Sequence, residues 1–186
     1  MNSGLTTAGR VSAVHRSALH SFSKEPRSEI ELIAGHGVAG DAHCGSTVRH
    51  RSRVAKDPTA PNLRQVHLIA NETLFDLQTI GFDVHPGDLG ENVTTEGVDW
   101  TKVLTGTRVV FDGGCIIEIT GLRNPCYQID SFCHGLLDEV RSVAADGTID
   151  RRAGVMGVVL VGGLVSAGIE FRLEPPPPGA TALVVV

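Results

Sequence analysis

Of the four cysteines in this chain, one sits where a nucleophile or a soft-metal ligand would be placed. Cys126 lies in Gly121-Leu122-Arg123-Asn124-Pro125-Cys126-Tyr127-Gln128-Ile129, after a predicted strand and before a predicted helix. Pro125 biases Asn124 toward extended backbone, so the chain must turn at the cysteine. A helix starting behind the thiol would favour the thiolate, and Arg123 would add to that field. Such a sulfur could ligate a soft metal, carry a persulfide or attack an electrophile; a buried, inert cysteine is the alternative. Cys115 opens an apolar strand after Gly113-Gly114, and Cys133 lies on the apolar side of a predicted helix, so both are expected to pack.

Cys44 shares a loop with Asp41, His43 and His50, all ligand types, and a zinc site completed by Cys133 and His134 is one reading. The spacing matches no standard zinc pattern, and a solvated loop is the other. Arg49, His50, Arg51, Arg53 and Lys56 fall within eight residues, with Arg64 close behind. They form either an anion pocket suited to a phosphate or a mobile solvated loop. Gly87-Asp88-Leu89-Gly90-Glu91-Asn92-Val93-Thr94-Thr95 reads as a ligand loop or a demanding turn. Its glycines allow close backbone approach, and Asp88, Glu91 and Asn92 could bind the polar edges of a heterocycle. No Rossmann fingerprint or Walker loop occurs, which disfavours nicotinamide and nucleoside triphosphate binding.

To position these residues the sequence offers mainly strands. Runs at residues 11–14, 30–33, 65–69, 108–111 and 116–120 are separated by glycine-rich connections. Residues 155–161 and 164–173 flank Gly162-Gly163 and predict a hairpin. Asn71 is expected to cap a helix over residues 72–80, with Leu74, Leu77 and Ile80 on one face and Gly81 as its stop. A second helix is expected over residues 131–140, with Phe132, Leu136, Leu137 and Val140 inward and Gly135 weakening it. Both are expected to cover barrel ends. Pro175 to Pro178 form a stiff connection to an apolar tail that could add an edge strand or mediate self-association.

Composition agrees with that layout. At 186 residues the chain is expected to form one domain, with a core over about residues 11–173 and a proline-rich tail over 174–186. Twenty-two glycines against six Phe, one Trp and one Tyr favour a turn-rich β protein over a helix bundle. A net charge of −5 excludes bulk affinity for nucleic acid or anionic lipid, so any anion site must be local. The first 24 residues lack acids and faintly resemble a transit peptide, but an opening strand reads more simply. The most apolar stretch, sixteen residues over 154–169, is short of the roughly 20 that span a bilayer. No C-x-x-C pair occurs, and a reduced cytoplasm is the expected setting.

Together, Gly37-Val38-Ala39-Gly40-Asp41-Ala42-His43, Pro86-Gly87-Asp88-Leu89-Gly90-Glu91-Asn92 and Arg123-Asn124-Pro125-Cys126 resemble the MOSC domain, named for the C-terminal part of molybdenum-cofactor sulfurases. Their order and spacing are similar to those of small stand-alone bacterial members, over about residues 11–173. The resemblance implies a mainly β, mostly antiparallel, barrel-like fold with a few short helices. It also implies molybdenum-cofactor chemistry, with Cys126 either carrying sulfur as a persulfide or coordinating molybdenum. The cofactor's pterin ends in a phosphate, for which Arg49, Arg51, Arg53 and Arg64 supply donors by charge.

Three functions follow as expectations. In the first, Cys126 ligates molybdenum and the domain reduces small N-hydroxylated compounds, with electrons from a partner reductase because the chain has no flavin, nicotinamide or iron–sulfur signature. The site would draw on Asp41, His43, Asp88, Glu91, Asn92, Arg123 and Asn124 as well as the basic cluster. In the second, Cys126 carries sulfane sulfur received from a separate cysteine desulfurase. In the third, the domain is a structural or zinc-binding module. A homodimer is compatible with all three.

Overall fold

Strands with one face turned inward make up most of the regular structure in the computed structural model, which describes residues 7–49, 51–143 and 146–186, and of Arg51 and Ser52 the backbone alone. In chain order they are β1 (Ala8–Arg16), β2 (Glu25–Arg27), β3 (Glu29–Ile33), β4 (Gly37–Val38), β5 (Val66–Ala70), β6 (Val93–Glu96), β7 (Arg108–Phe111), β8 (Ile116–Leu122), β9 (Arg141–Val143), β10 (Ile149–Arg151), β11 (Val155–Val161), β12 (Gly163–Ser166) and β13 (Glu170–Glu174). Four short α-helices accompany them: α1 (Arg51–Val54), α2 (Asn71–Thr79), α3 (Tyr127–Phe132) and α4 (Leu136–Val140).

Seven strands close into a barrel in the order β13-β7-β8-β11-β5-β6-β1, with β1 pairing β13 to seal it and β2 added beside β1. All barrel pairings are antiparallel except β5 with β6. The seal aligns Ala8, Gly9 and Arg10 with Arg172, Phe171 and Glu170. At Gly9 a Cβ would stand 2.5 Å from the Glu96 carbonyl and 2.7 Å from the Phe171 ring, so only glycine lets the strands meet there. Alternation along β8 turns Ile117 and Ile119 into the barrel, where they meet Val109, Phe111, Val155 and Phe171. The mainly β, mostly antiparallel barrel with short helices is the architecture the sequence predicts.

A second apolar layer lies outside the barrel. β5 is buried along its whole length because Val66 and Leu68 face inward while Ile69 packs under Leu74 and Leu77 of α2. Ile129, Leu136 and Val140 of α3 and α4 extend that layer, so these helices cover a barrel wall rather than its ends.

Three local expectations are corrected. Residues 155–173 form no hairpin: β12 leaves the barrel after Gly162 to pair with β3, and β13 pairs with β7 and β1. The helix expected over residues 131–140 is two helices: the backbone turns extended at Cys133 (φ −145°, ψ 118°), and Gly135, at φ 83°, redirects it into α4. Asn71 is the first residue of α2, which has Ala70 at its N-cap, and Ile80 is 58% exposed. The tail contributes single bridges, Ala182 to Leu104 and Val185 to Leu122, rather than a strand.

Candidate functional site

The turn between β8 and α3 presents Cys126 to a cleft of about 490 Å³. Cys126 is extended (φ −135°, ψ 172°) and half-buried, and its Sγ donates to Gln128 Oε1 at 3.5 Å. The backbone of Arg123 is held by its N–H to the Gly154 carbonyl (3.0 Å), which fixes the strand end ahead of the turn. Its side chain is 8% exposed, with the guanidinium carbon 5.7 Å from the centre of the Phe22 ring. Arg123 Nη1 is buried and has no hydrogen-bond partner. Burial pushes the Arg123 pKa down, against the opposing pull of Cys126 and Glu91.

Arg64 and Arg53 line the same cleft, Arg64 half-buried and Arg53 exposed. Burial, then the charges of Arg53 and Arg123, lower the Arg64 pKa to about 10, with Cys126 opposing. None of the three arginines has a carboxylate within ion-pair distance among the described residues. Asn124 lies on the exposed rim. Arg49 is exposed and is not among the lining residues; His50 and the side chain of Arg51 lie outside the described residues.

Opposite the arginines stands a buried polar network. Asp41 Oδ2 accepts from Lys24 Nζ at 2.7 Å and from Asn92 Nδ2 at 3.0 Å. Asp41 Oδ1 accepts from the His43 backbone N–H at 2.9 Å and pairs with His43 Nδ1 at 3.2 Å. Burial alone would raise the Asp41 pKa, but the His43 bond and the Lys24 charge outweigh it and hold the carboxyl far below the usual range. Lys24, His43 and Asn92 line the cleft, as do His20, Phe22, His67 and Met156. Neither Asp88 nor Glu91 does: Asp88 Oδ2 accepts from the His85 N–H at 2.8 Å, and Glu91 Oε1 accepts from Gly87 N–H and, at 3.1 Å, from Thr94 Oγ1. Both hold the loop in shape, and of that motif Leu89, Gly90 and Asn92 reach the cleft, Asn92 with its side-chain amide.

The zinc reading included His50, which lies outside the described residues. Among the described residues no group of three or more His, Cys, Asp and Glu side chains is arranged to hold a metal. His134 is paired with Asp130 on the surface, and Cys133 packs on the outer apolar layer. Cys115 is fully buried, as expected, and burial pushes its thiol up to about 11.

The model of the MOSC domain matches residues 51–172, two thirds of the chain. The chain belongs to the MOSC domain family. YuaD from Bacillus subtilis, named for metal–sulfur cluster biosynthesis, is 24% identical over 163 residues, covering 83% of this MOSC chain and 84% of YuaD. The YuaD crystal structure superposes with a TM-score of 0.73 at 22% identity, over 89% of this chain and 95% of that one. YiiM from Escherichia coli gives 0.59 at 19% identity, over 94% and 73%.

A second cleft of the MOSC domain, about 550 Å³, is lined by Glu72, Asp76, Asp99, Asp150, Arg151 and Arg152. It contains no thiol, and two of its carboxylates already serve the fold: Glu72 accepts from the Gly97 N–H, and Asp76 pairs with Arg152. Among the described residues no helix is long and apolar enough to cross a membrane.

Sequence reasoning passed over Lys24, His15 and His67 because each is an isolated residue with no motif around it. His15 is 1% exposed with Nδ1 unpartnered. Burial, then the Lys24 charge, push its pKa down to about 4, with Asp88 opposing. His67 is held neutral chiefly by burial and meets the Ala153 carbonyl through Nε2 at 2.8 Å. In the unfolded chain both titrate near ~6.5, so below that pH the unfolded state binds more protons and gains on the native state. Stability of the MOSC domain is therefore expected to fall as pH drops from about 6.5 through about 4, His15 alone accounting for up to about 3 kcal/mol. Urea midpoints measured across that window should flatten in His15→Gln; an unchanged slope would remove His15 as a cause.

Proposed function

We propose that this MOSC domain binds the molybdenum cofactor in the Cys126 cleft and reduces small N-hydroxylated compounds with electrons from a partner reductase. One observation carries the reading: a buried guanidinium with an unpartnered Nη1, Arg123, stands in the same cleft as a reachable thiol. A charged group left without a partner in a protein interior is costly, and an anion supplied by a ligand removes that cost. The cleft volume is in the range that small-molecule sites occupy, roughly 300–1,000 Å³.

The residues present fit the group. Cys126 would hold the metal through its sulfur, and Arg123 and Arg64 would hold the terminal phosphate, with Arg53 at the rim. Asn92 and Asn124 offer donors and acceptors to the pterin edge, while Phe22 and Met156 provide an apolar wall. When bound, the cofactor supplies a redox-active metal centre for two-electron chemistry. The polar side chains of the rest of the cleft would orient the substrate. The four cysteines are free thiols, in keeping with a cytoplasmic setting.

A second reading has its own support: YuaD is named for metal–sulfur cluster biosynthesis, and a thiol flanked by Arg64 and Arg123 would also stabilise a persulfide anion handed on to a metal acceptor. One experiment separates them. The full chain is produced in a host that synthesises the cofactor, and its molybdenum content and intact mass are compared with those of Cys126→Ser. Near-stoichiometric molybdenum in the wild type, falling by at least about tenfold in the variant, is expected. Wild-type protein without molybdenum, but heavier by one sulfur atom at Cys126, would replace the first reading by the second.

A further inference from the structure

Asp41 and His43 supply something the cofactor site alone does not require. A carboxylate needed only for folding would be satisfied by Lys24, yet Asp41 also engages His43 twice. Its Oδ1 takes the His43 backbone N–H (2.9 Å) and lies 3.2 Å from His43 Nδ1, while Oδ2 is committed to Lys24 and Asn92. The carboxylate is 2% exposed and the imidazole 28%, so a sealed anion orients a ring that reaches the cleft. His20 meets that ring edge-on, with centroids 5.1 Å apart and planes at 89°, and fixes its plane. An ionised carboxylate on Nδ1 makes Nδ1 the proton-bearing nitrogen of neutral His43, and Nε2 the nitrogen through which the ring exchanges protons.

We propose that His43 is the acid that protonates the departing oxygen when an N-hydroxylated substrate is reduced, with Asp41 as its positioning residue. This deepens the reading of the Cys126 cleft as a reductase site and rests on it. The reaction takes up two electrons and two protons: the N–O bond of R–NH–OH breaks, oxygen leaves as water, and nitrogen becomes the amine. One proton passes from imidazolium Nε2–H to the leaving oxygen, the other comes from solvent, and His43 is reprotonated from water. The electrons come from a flavin or iron–sulfur reductase. Without a positioned acid the oxygen would have to leave as hydroxide, a poorer leaving group than water.

The test uses the full, cofactor-loaded chain with phenylhydroxylamine as probe and reduced methyl viologen as electron donor. His43→Gln is expected to keep wild-type molybdenum and a KM within about twofold while kcat falls about 100-fold. A fully loaded variant with kcat within about threefold of wild type would overturn the assignment and leave the cofactor reading standing. Molybdenum-loaded wild type that does not turn over would remove the assignment together with the reductase reading, and wild type without molybdenum would remove the cofactor as well. Nitrogen-15 NMR of the cofactor-free wild-type chain gives a readout that needs no turnover. Neutral His43 is expected to carry its proton on Nδ1, and the opposite tautomer would overturn the proposal. Asp41 is left in place throughout because it also supports Lys24.

Discussion

Asp41→Asn is expected to destabilise the domain by about 3–5 kcal/mol, a shift in the folding equilibrium of more than two orders of magnitude. The side chains of Lys24 and Asp41 are 6% and 2% exposed, so neither charge can fall back on water when its partner is lost. Neutralising Asp41 leaves the Lys24 ammonium buried beside Arg123 and His15, whose charges or dipoles do not replace a carboxylate. An amide also turns an N–H toward either His43 or Lys24 and Asn92, where both sides are donors. Burial pushes the Lys24 pKa down, with Asp41 as its main counterweight, so in Asp41→Asn the lysine is expected to release its proton. Lys24→Met alone should also destabilise, by leaving Asp41 unpaired, whereas the double variant should lose less than the two single changes together. Urea denaturation of the four proteins closes the cycle. A single Asp41→Asn variant within about 1 kcal/mol of wild type would show that the pair does not act as a buried ion pair.

Arg123→Met is expected to move stability and binding in opposite directions. The native guanidinium is buried against Phe22 with Nη1 unpartnered, a cost that a methionine of similar length does not carry. The cofactor-free variant should therefore be more stable by about 1–3 kcal/mol. Binding should suffer. With the buried donor gone, affinity for a phosphate-bearing ligand is expected to fall by about two to three orders of magnitude, and purified protein should carry little molybdenum. Denaturation midpoints and metal content on the same preparations measure both. A variant less stable than wild type, yet still loaded, would place Arg123 in the scaffold and transfer anion binding to Arg64 and Arg53.

What the sequence made legible was whatever repeats along a strand or clusters in a motif. Alternation in residues 116–120 and the β-branched run over 155–161 both became barrel strands because inward and outward faces must differ in polarity. The Pro-Cys turn was visible because proline restricts its neighbour wherever it occurs. The false hairpin at Gly162-Gly163 shows the limit: the dipeptide permits a tight turn, but whether β12 folds back on β11 or crosses to β3 depends on which partner offers buried area. In the site, Arg64, Arg123 and Asn92 were nameable from charge and motif, while Lys24 and Phe22 reach the cleft only because the segment after β1 returns across it. Asp88 and Glu91 had the right chemistry for ligand contact, but the loop consumes both in holding its own turns. A sequence displays a carboxylate's type and not the number of backbone amides already aimed at it.

Among the described residues the strand that seals the barrel is the first and its partner is the last, Ala8 to Arg10 against Glu170 to Arg172. During synthesis β1 therefore leaves the ribosome long before the edge it completes, and β7 shares that wait because it too pairs with β13. Until the final stretch emerges, the nascent chain carries two open strand edges and an interior exposed to the crowded cell. Closure between residues as distant in sequence as Ala8 and Arg172 makes this a slow-folding topology, and chaperone occupancy during translation should persist until β13 is free.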